Sequence, residues 1–198
     1  MKSASIVAVG ASWGGLAALS RLIGGLPSDF GVPVVVVQHR SRHADNLLAA
    51  LLQDVTTLRV LDVEDKEPLE PRHVYIAPAN YHVLVETDYL SLTTDPLVRF
   101  SRPSIDVTLM SAADTYMSRA IGIVLTGAND DGARGLRHIV DRGGRGIVQD
   151  PDTAESPTMP AAARRVVPEA DVLPLEKIAA HLCSMVGSAS AVSGARRA

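Results

Sequence analysis

Short runs that are apolar at nearly every position alternate with segments of helical periodicity along most of this 198-residue chain. The first run, residues 5–9, meets glycine at once and is followed by leucines at helical spacing from residue 16. Residues 32–37 and 120–125 repeat the pattern. Strands without alternating polar positions are typical of a sheet that is buried on both faces. The alternation therefore predicts an α/β fold with a doubly wound, mostly parallel sheet and helices on both faces.

The middle of the chain follows a different pattern. Residues 74–76, His82–Val85 and residues 90–93 are short apolar segments separated by turn-like residues. They predict antiparallel strands or hairpins, a small antiparallel excursion near residues 72–95. Further strands are predicted at residues 58–63 and 146–148, and helices at residues 16–26, 47–52, 105–116, 136–140, 159–167 and Leu175–Val186.

Helix ends and composition set the domain boundaries. Ser104 follows Pro103 and is expected to cap the helix that begins at Ile105. Neither a repeat nor an interdomain linker interrupts the pattern, so residues 1–186 are predicted to form one domain. Residues 187–198 are rich in Ser, Ala, Gly and Arg and have little to bury, so a disordered tail is expected there.

Charge and cysteine content exclude several classes of protein. The formal net charge is −3, and the basic residues are scattered rather than gathered into the stripe that nucleic acid or an anionic membrane requires. We therefore expect no nucleic-acid partner. Apolar stretches fall short of the ~20 residues of a spanning helix, so direct membrane insertion is not expected. The single cysteine, Cys183, cannot form an intramolecular disulfide and favours a reducing, cytoplasmic location.

Three predicted strand ends carry residues with chemical potential. The first continues as Gly10-Ala11-Ser12-Trp13-Gly14, which satisfies the G-x-S-x-G pattern of a tight turn that projects a serine hydroxyl. His39 ends the second strand, and Asp131 follows the strand at residues 120–125. Parallel strands place their carboxyl ends at one edge of the sheet. A serine hydroxyl needs a base, and the base needs an orienting carboxylate, so we predict Ser12 as nucleophile, His39 as base and Asp131 as orienter.

The same residues allow other interpretations. The order serine, histidine, aspartate differs from the serine, acid, histidine order of the α/β-hydrolase fold. Gly10-x-Ser12-x-x-Gly15 also differs by one glycine from the dinucleotide-binding fingerprint, which keeps an oxidoreductase as a less favoured alternative. His39 and His43 are four residues apart, but a shared metal would require them on one helix face, and His39 is expected to end a strand. Neither a metal nor a cofactor is therefore expected.

Several motifs in register give a specific resemblance. They are Gly10-Ala11-Ser12-Trp13-Gly14-Gly15, Gln38-His39, Ala77-Pro78-Ala79, Arg102-Pro103-Ser104-Ile105-Asp106, Leu125-Thr126-Gly127 with Asp131-Gly132-Ala133, and Gln149-Asp150 with Met159-Pro160. Together they resemble the catalytic domain of the chemotaxis protein-glutamate methylesterases of the CheB type. The likeness spans about residues 4–183, so the domain at residues 1–186 is expected to be a methylesterase-like catalytic domain.

The resemblance implies a function and a substrate class. Ser12, His39 and Asp131 would form the triad that hydrolyses glutamate methyl esters on chemoreceptors or other signalling proteins, releasing methanol, and some members also deamidate glutamines. Trp13, Gly14, Ala128, Asn129 and His82 are assigned to the substrate and oxyanion region, although a structural role for His82 fits its position equally well.

The chain also departs from the family pattern. Trp13 stands where a small residue or threonine is frequent, and Ala128 and Asn129 replace a methionine and a glycine. A non-catalytic signalling module of the same fold is therefore a further alternative. The first strand begins within a few residues of Met1, so the chain is expected to lack the family's receiver domain, and a separate receiver-domain protein is the expected regulator.

Overall fold

A seven-stranded parallel sheet forms the centre of the computed structural model, which describes residues 5–40 and 47–186. In spatial order its strands are β10 (Asp171–Leu173), β9 (Arg145–Gln149), β8 (Ala120–Val124), β1 (Ile6–Ala11), β2 (Val34–Gln38), β5 (His73–Ile76) and β3 (Arg59–Asp62). All neighbouring pairs in this sheet run parallel. The central strand β1 lies between β2 and β8, so the chain winds outward from β1 in both directions.

Within the described ranges, six α-helices cover the two faces of the sheet. On one face lie α1 (Gly15–Gly24), α2 (Leu48–Gln53) and α6 (Leu175–Val186), and on the other lie α3 (Ile105–Tyr116), α4 (Ala133–Asp141) and α5 (Thr158–Val166). Strand β1 supplies alternate residues to two separate cores, because successive side chains of a strand point to opposite faces. Val7 and Val9 pack beneath α1, whereas Ile6 and Ala8 pack beneath α3. The predicted doubly wound fold is confirmed.

A smaller antiparallel sheet lies outside the main one. It consists of β4 (Glu67–Pro68), β7 (Tyr89–Thr93) and β6 (His82–Val85). Two threonines of α3 attach it, because the hydroxyls of Thr108 and Thr115 each donate a 2.8 Å hydrogen bond to a carbonyl of β6. The predicted antiparallel excursion is therefore present.

One strand assignment was wrong. Residues 74–76 belong to β5, which pairs in parallel with β2 and β3 in the main sheet rather than in a hairpin. Val74, Tyr75 and Ile76 are all buried, as expected for a strand covered on both faces. Strands β4 and β10 were not predicted, since each has at most three residues.

Some predictions fall outside the described residues. The expected tail at residues 187–198 lies there, and so does His43, which was considered as a metal ligand. Within the described ranges, no helix is long and apolar enough to cross a membrane.

Candidate active site

Ser12 lies in the tight turn that joins β1 to α1. Its amide donates to the carbonyl of Thr126 over 2.9 Å, and its own carbonyl accepts from the amide of Gly15 over 2.9 Å. Gly14 precedes the helix with a φ of 76°, a left-handed conformation that glycine adopts without steric cost. These bonds place Ser12 between the ends of β1 and β8, at the amino end of α1.

Gln38, the last residue of β2, holds the turn against the neighbouring strand. Its Nε2 donates to the carbonyl of Ser12 over 2.7 Å and to the carbonyl of His39 over 2.9 Å. The contact requires glycine at position 15, because a Cβ there would lie 1.8 Å from Gln38 Oε1. One side chain thus fixes the backbones of Ser12 and His39 relative to each other.

His39 and Asp131 form a buried hydrogen-bonded pair. His39 Nε2 donates to Asp131 Oδ2 over 2.8 Å, with the histidine side chain 11% exposed and the aspartate fully buried. The other ring nitrogen, Nδ1, lies 3.4 Å from Asn129 Nδ2. Because a carboxylate only accepts, the pairing fixes the proton on Nε2, and Nδ1 carries a lone pair that accepts from Asn129 Nδ2 in the free protein.

Asp131 is held at the amino end of α3. Its oxygens accept hydrogen bonds from the Ser104 hydroxyl (2.9 Å) and from the amides of Ile105 (2.7 Å) and Asp106 (2.9 Å). Burial alone would raise the pKa of Asp131, but the bond from His39 and the two amide bonds lower it below its ordinary value. Asp131 is thus an ionised carboxylate at a helix N-terminus.

The predicted cap of α3 was wrong in detail. Ser104 occupies the N-cap position, but its side chain makes no capping bond and donates to Asp131 instead. Asp131 therefore supplies the oxygens that cap the helix, although it lies 26 residues further along the chain than Ile105.

A second buried carboxylate mirrors this arrangement. Asp106 Oδ1 accepts from the amides of Gly132 (2.9 Å) and Gly135 (2.7 Å) at the amino end of α4. Burial raises the pKa of Asp106, the Asp131 charge raises it further, and the two amide bonds oppose the shift. Each of the two helices is thus capped by an aspartate of the other segment, and we call this pair of interactions the crossed caps.

Ser12 and His39 line one open cleft of about 620 Å³ at the carboxyl edge of the sheet. Its lining includes the predicted residues Trp13, Gly14 and Ala128, and Trp13 is 68% exposed. Within the described part of the chain, the Ser12 hydroxyl makes no hydrogen bond, and the amides of Trp13 and Ala128 have no acceptor. The cleft thus combines a free hydroxyl, an imidazole nitrogen whose lone pair accepts from Asn129, and two unused amide donors.

His82 is placed away from this cleft. It is 1% exposed, accepts from the amide of Ser104 at Nδ1 (3.1 Å) and donates from Nε2 to the carbonyl of Pro96 (3.1 Å). It therefore supports the segment that carries Ser104 and does not reach the cleft. Asp130, the neighbour of Asp131, is exposed and pairs with Arg99.

Two further residues shape the site, and the catalytic pattern did not single them out. Thr126 Oγ1 donates to the carbonyl of Trp13 over 2.9 Å and accepts from the amide of Ser156 over 2.8 Å, which ties three loops together. Glu155 adds an exposed carboxylate to the lining of the cleft. Thr126 belonged to a motif of the resemblance, whereas no sequence signal marked Glu155.

No group of His, Cys, Asp or Glu within residues 5–40 and 47–186 could hold a metal ion.

Comparison with known proteins decides the family. The family model described as CheB methylesterase matches residues 7–182. The chain belongs to the CheB methylesterase family. The catalytic domain of the CheB methylesterase of Thermotoga maritima superposes with a TM-score of 0.88 at 35% identity, over 93% of this CheB-family chain and 100% of that domain. The predicted resemblance is confirmed.

Curated relatives cover the CheB-family chain almost end to end. A Leptospira interrogans protein, named as a candidate protein-glutamate methylesterase/protein-glutamine glutaminase, is 42% identical over 87% of this chain and 90% of that protein. The protein-glutamate methylesterase FrzG of Myxococcus xanthus is 40% identical over 91% of this chain. The alignment spans 54% of FrzG, about half of its length.

Proposed function

We propose that this chain hydrolyses the methyl esters of protein glutamate side chains, with Ser12 as nucleophile, His39 as general base and acid, and Asp131 as orienter. The observation that carries the proposal is the pairing of His39 with the buried, ionised Asp131 beside the free Ser12 hydroxyl in one cleft. Family membership and the printed names of the relatives support the same reaction.

The first half of the reaction forms an acyl-enzyme. Ser12 Oγ attacks the ester carbonyl carbon while His39 Nδ1 takes the hydroxyl proton, and Asp131 stabilises the imidazolium through Nε2. The carbonyl oxygen becomes an oxyanion, for which the unused amides of Trp13 and Ala128 are the available donors. Collapse of the intermediate breaks the bond to the methoxy group, which leaves as methanol with the proton from His39.

The second half restores the enzyme. A water molecule gives a proton to His39 and attacks the glutamyl-serine ester, and collapse returns that proton to Ser12 and leaves a glutamate carboxylate. A glutamine side chain on the same path would release ammonia instead of methanol. The relatives named as protein-glutamine glutaminases support this second substrate.

The substrate we propose is a methylated signalling protein of the chemoreceptor type. The cleft is open rather than enclosed, so a glutamate side chain on the surface of another protein can reach Ser12. Asn129 Nδ2, near His39 Nδ1 in the free protein, must yield its place to the Ser12 hydroxyl when the substrate enters. Catalytic hydrogen bonds commonly tighten only in the complex with substrate.

Methanol release from a methylated receptor fragment tests the assignment. We expect Ser12→Ala to lower the rate by at least about 10³-fold, because the nucleophile is lost while the oxyanion donors remain. Ser20→Ala is the matched control, because Ser20 lies in α1, the helix that follows Ser12, and this variant should keep the wild-type rate. A Ser12→Ala protein that releases methanol at the wild-type rate contradicts the proposal.

A covalent probe separates an enzyme from a non-catalytic module of the same fold. A fluorophosphonate should label Ser12 in the wild-type protein, and labelling should fall sharply in His39→Ala, because an unassisted serine hydroxyl is a weak nucleophile. Absence of labelling at high probe concentration would favour the module, and labelling that does not depend on His39 would remove His39 from the mechanism.

A further inference from the structure

A second, smaller pocket also has His39 in its lining. It has a volume of about 190 Å³, room for several water-sized groups at ~30 Å³ each. Besides His39 its lining includes two guanidinium side chains, those of Arg40 and Arg102. None of its described lining residues is an aspartate or a glutamate. We call it the arginine pocket.

The two arginines differ in the number of hydrogen-bond acceptors around their guanidinium groups. Arg102 donates to the side chain of Asn80 and to the carbonyls of Thr94 and Asp95, so four of its five N–H groups bond to the segments that it braces. Arg40 donates from Nη2 to the carbonyl of Ala77 over 2.7 Å and lies 3.5 Å from a carboxylate oxygen of Asp62.

The Arg40 guanidinium is short of acceptors. Its side chain is 9% exposed, and its Nε and Nη1 have no hydrogen-bond partner among the described residues. Burying a cation is costly unless an anion and hydrogen-bond acceptors compensate it, and a guanidinium is the side chain best shaped to bind a carboxylate. Asp62 supplies one anionic partner at Nη2, so what Arg40 lacks is acceptor oxygens for Nε and Nη1, which a second carboxylate would provide.

A strained turn holds an apolar side chain at the rim of the arginine pocket. Val98 and Ser101 exchange two backbone hydrogen bonds, of 3.1 and 2.9 Å, across Arg99 and Phe100, whose φ values are 50° and 64°. Non-glycine residues adopt such values at a cost, which the surrounding contacts must offset. Arg99 pairs with Asp130, and Phe100 is 97% exposed beside the pocket. The rim thus offers an apolar contact next to a buried positive charge.

We propose that the arginine pocket is a carboxylate subsite that recognises an acidic side chain close to the methylated glutamate of the substrate. This inference rests on the proposed esterase function, since it assumes that the ester carbonyl lies at Ser12. His39 lines both cavities, so a group next to the ester on the His39 side enters the arginine pocket. The Glu155 carboxylate lines the cleft that holds Ser12 but not the arginine pocket. The difference in charge between the two cavities therefore orients an acidic substrate in one direction.

Matched peptides test the subsite. Each has blocked ends and one glutamate methyl ester, and they differ only in carrying Glu or Gln at the neighbouring position, or at the position one helical turn away. We expect kcat/KM for the better acidic peptide to exceed that of the Gln peptide by about tenfold, the size of one charge-assisted hydrogen bond. Equal kcat/KM values for all peptides overturn the subsite.

Substitutions assign the discrimination to Arg40. Arg40→Gln should reduce the ratio to about one, and a circular dichroism spectrum and thermal midpoint like those of the wild type show that the variant is folded. Arg40→Lys should retain part of the ratio because it retains the charge. Arg134→Gln removes the same charge from an exposed position and should keep the wild-type ratio. A full ratio in Arg40→Gln overturns the proposal.

Calorimetric binding to the Ser12→Ala protein separates the two proposals. If the wild-type protein hydrolyses no ester while the Ser12→Ala protein binds the acidic peptide about tenfold more tightly than the Gln peptide, the subsite stands and the esterase function fails. If the acidic and Gln peptides bind equally, or neither binds, the subsite fails whatever the activity.

Discussion

At the scale of single residues, the site depends on which of two adjacent aspartates faces the histidine. Asp131 is buried and accepts four hydrogen bonds, from His39, Ser104, Ile105 and Asp106, whereas its neighbour Asp130 is exposed. The lowered pKa of Asp131 keeps it ionised at neutral pH. Each oxygen of Asp131 accepts two hydrogen bonds, so an asparagine at position 131 would place its NH2 group against two other donors.

Asp131→Asn tests this assignment directly. We expect kcat to fall on the order of 10³–10⁴-fold, because a neutral amide does not stabilise the His39 imidazolium and its NH2 group favours the wrong tautomer of the ring. We also expect a loss of about 1–3 kcal/mol in the free energy of unfolding, from donors left without acceptors. Methanol release and urea unfolding measure the two effects. Asp130→Asn is the adjacent control, and equal losses in both variants would contradict the assignment of Asp131.

The three predicted triad residues were accessible to sequence reasoning because each follows a recognisable buried strand. Gln38 and Thr126 were not assigned roles, since each acts by bonding to backbone carbonyls 26 and 113 residues away. His82 illustrates the reverse difficulty. A histidine beside a predicted cleft and a buried histidine that braces a loop have the same local sequence, and only the tertiary contacts distinguish them.

At the scale of secondary-structure elements, the crossed caps join α3 to α4. Asp131 and Asp106 each place oxygens at the amino end of the other segment's helix, where amides lack partners within the helix. The two carboxylates respond oppositely to pH. Because the pKa of Asp131 is lowered, this carboxylate stabilises the folded protein at pH values above the ordinary pKa of aspartate. That stabilisation is lost as the pH falls through the lowered pKa.

Asp106→Asn isolates the other half of the pair. The raised pKa of Asp106 means that the folded protein holds this proton more tightly than the unfolded chain, so wild-type stability falls as the pH rises through the raised pKa. The Asn variant keeps an acceptor oxygen but does not titrate. We therefore expect its free energy of unfolding to increase relative to that of the wild type as the pH rises above about 4, measured by urea unfolding.

Asp106→Ala is the control for the capping bonds. It leaves the amides of Gly132 and Gly135 without an acceptor, so we expect a loss of about 1–3 kcal/mol at every pH. If the Asn variant and the wild type keep a constant difference over the whole pH range, Asp106 does not titrate with a raised pKa.

The elements that sequence reasoning missed share a physical cause. Strand β5 lies within an otherwise antiparallel-looking segment, and nothing local shows that it pairs in parallel with β2. Strands β4 and β10 are too short for any periodicity to emerge. By contrast, α6 begins and ends where predicted, because its apolar residues repeat at helical spacing over twelve residues.

At the scale of the whole molecule, the two cores on either side of the sheet depend on different parts of the chain. The core beneath α1 is completed by α6, the last described helix, whose Ile178, Leu182 and Val186 are buried against it. The residues proposed for catalysis lie at the carboxyl edge of the sheet, and α6 contributes no side chain to the cleft. We therefore expect α6 to contribute to the stability of the fold and not directly to catalysis.

Two truncations test the contribution of α6 to stability and the proposed domain boundary at residue 186. Removing residues 187–198 should leave the thermal midpoint and kcat/KM unchanged. Removing residues 175–198 also deletes the three large buried apolar side chains of α6, Ile178, Leu182 and Val186, each contributing about 1.5–3 kcal/mol. That loss rivals the whole stability of a typical domain, about 5–15 kcal/mol, so we expect no cooperative unfolding transition. Circular dichroism and methanol release provide the measurements. Lower stability in the shorter truncation would place the domain boundary beyond Val186.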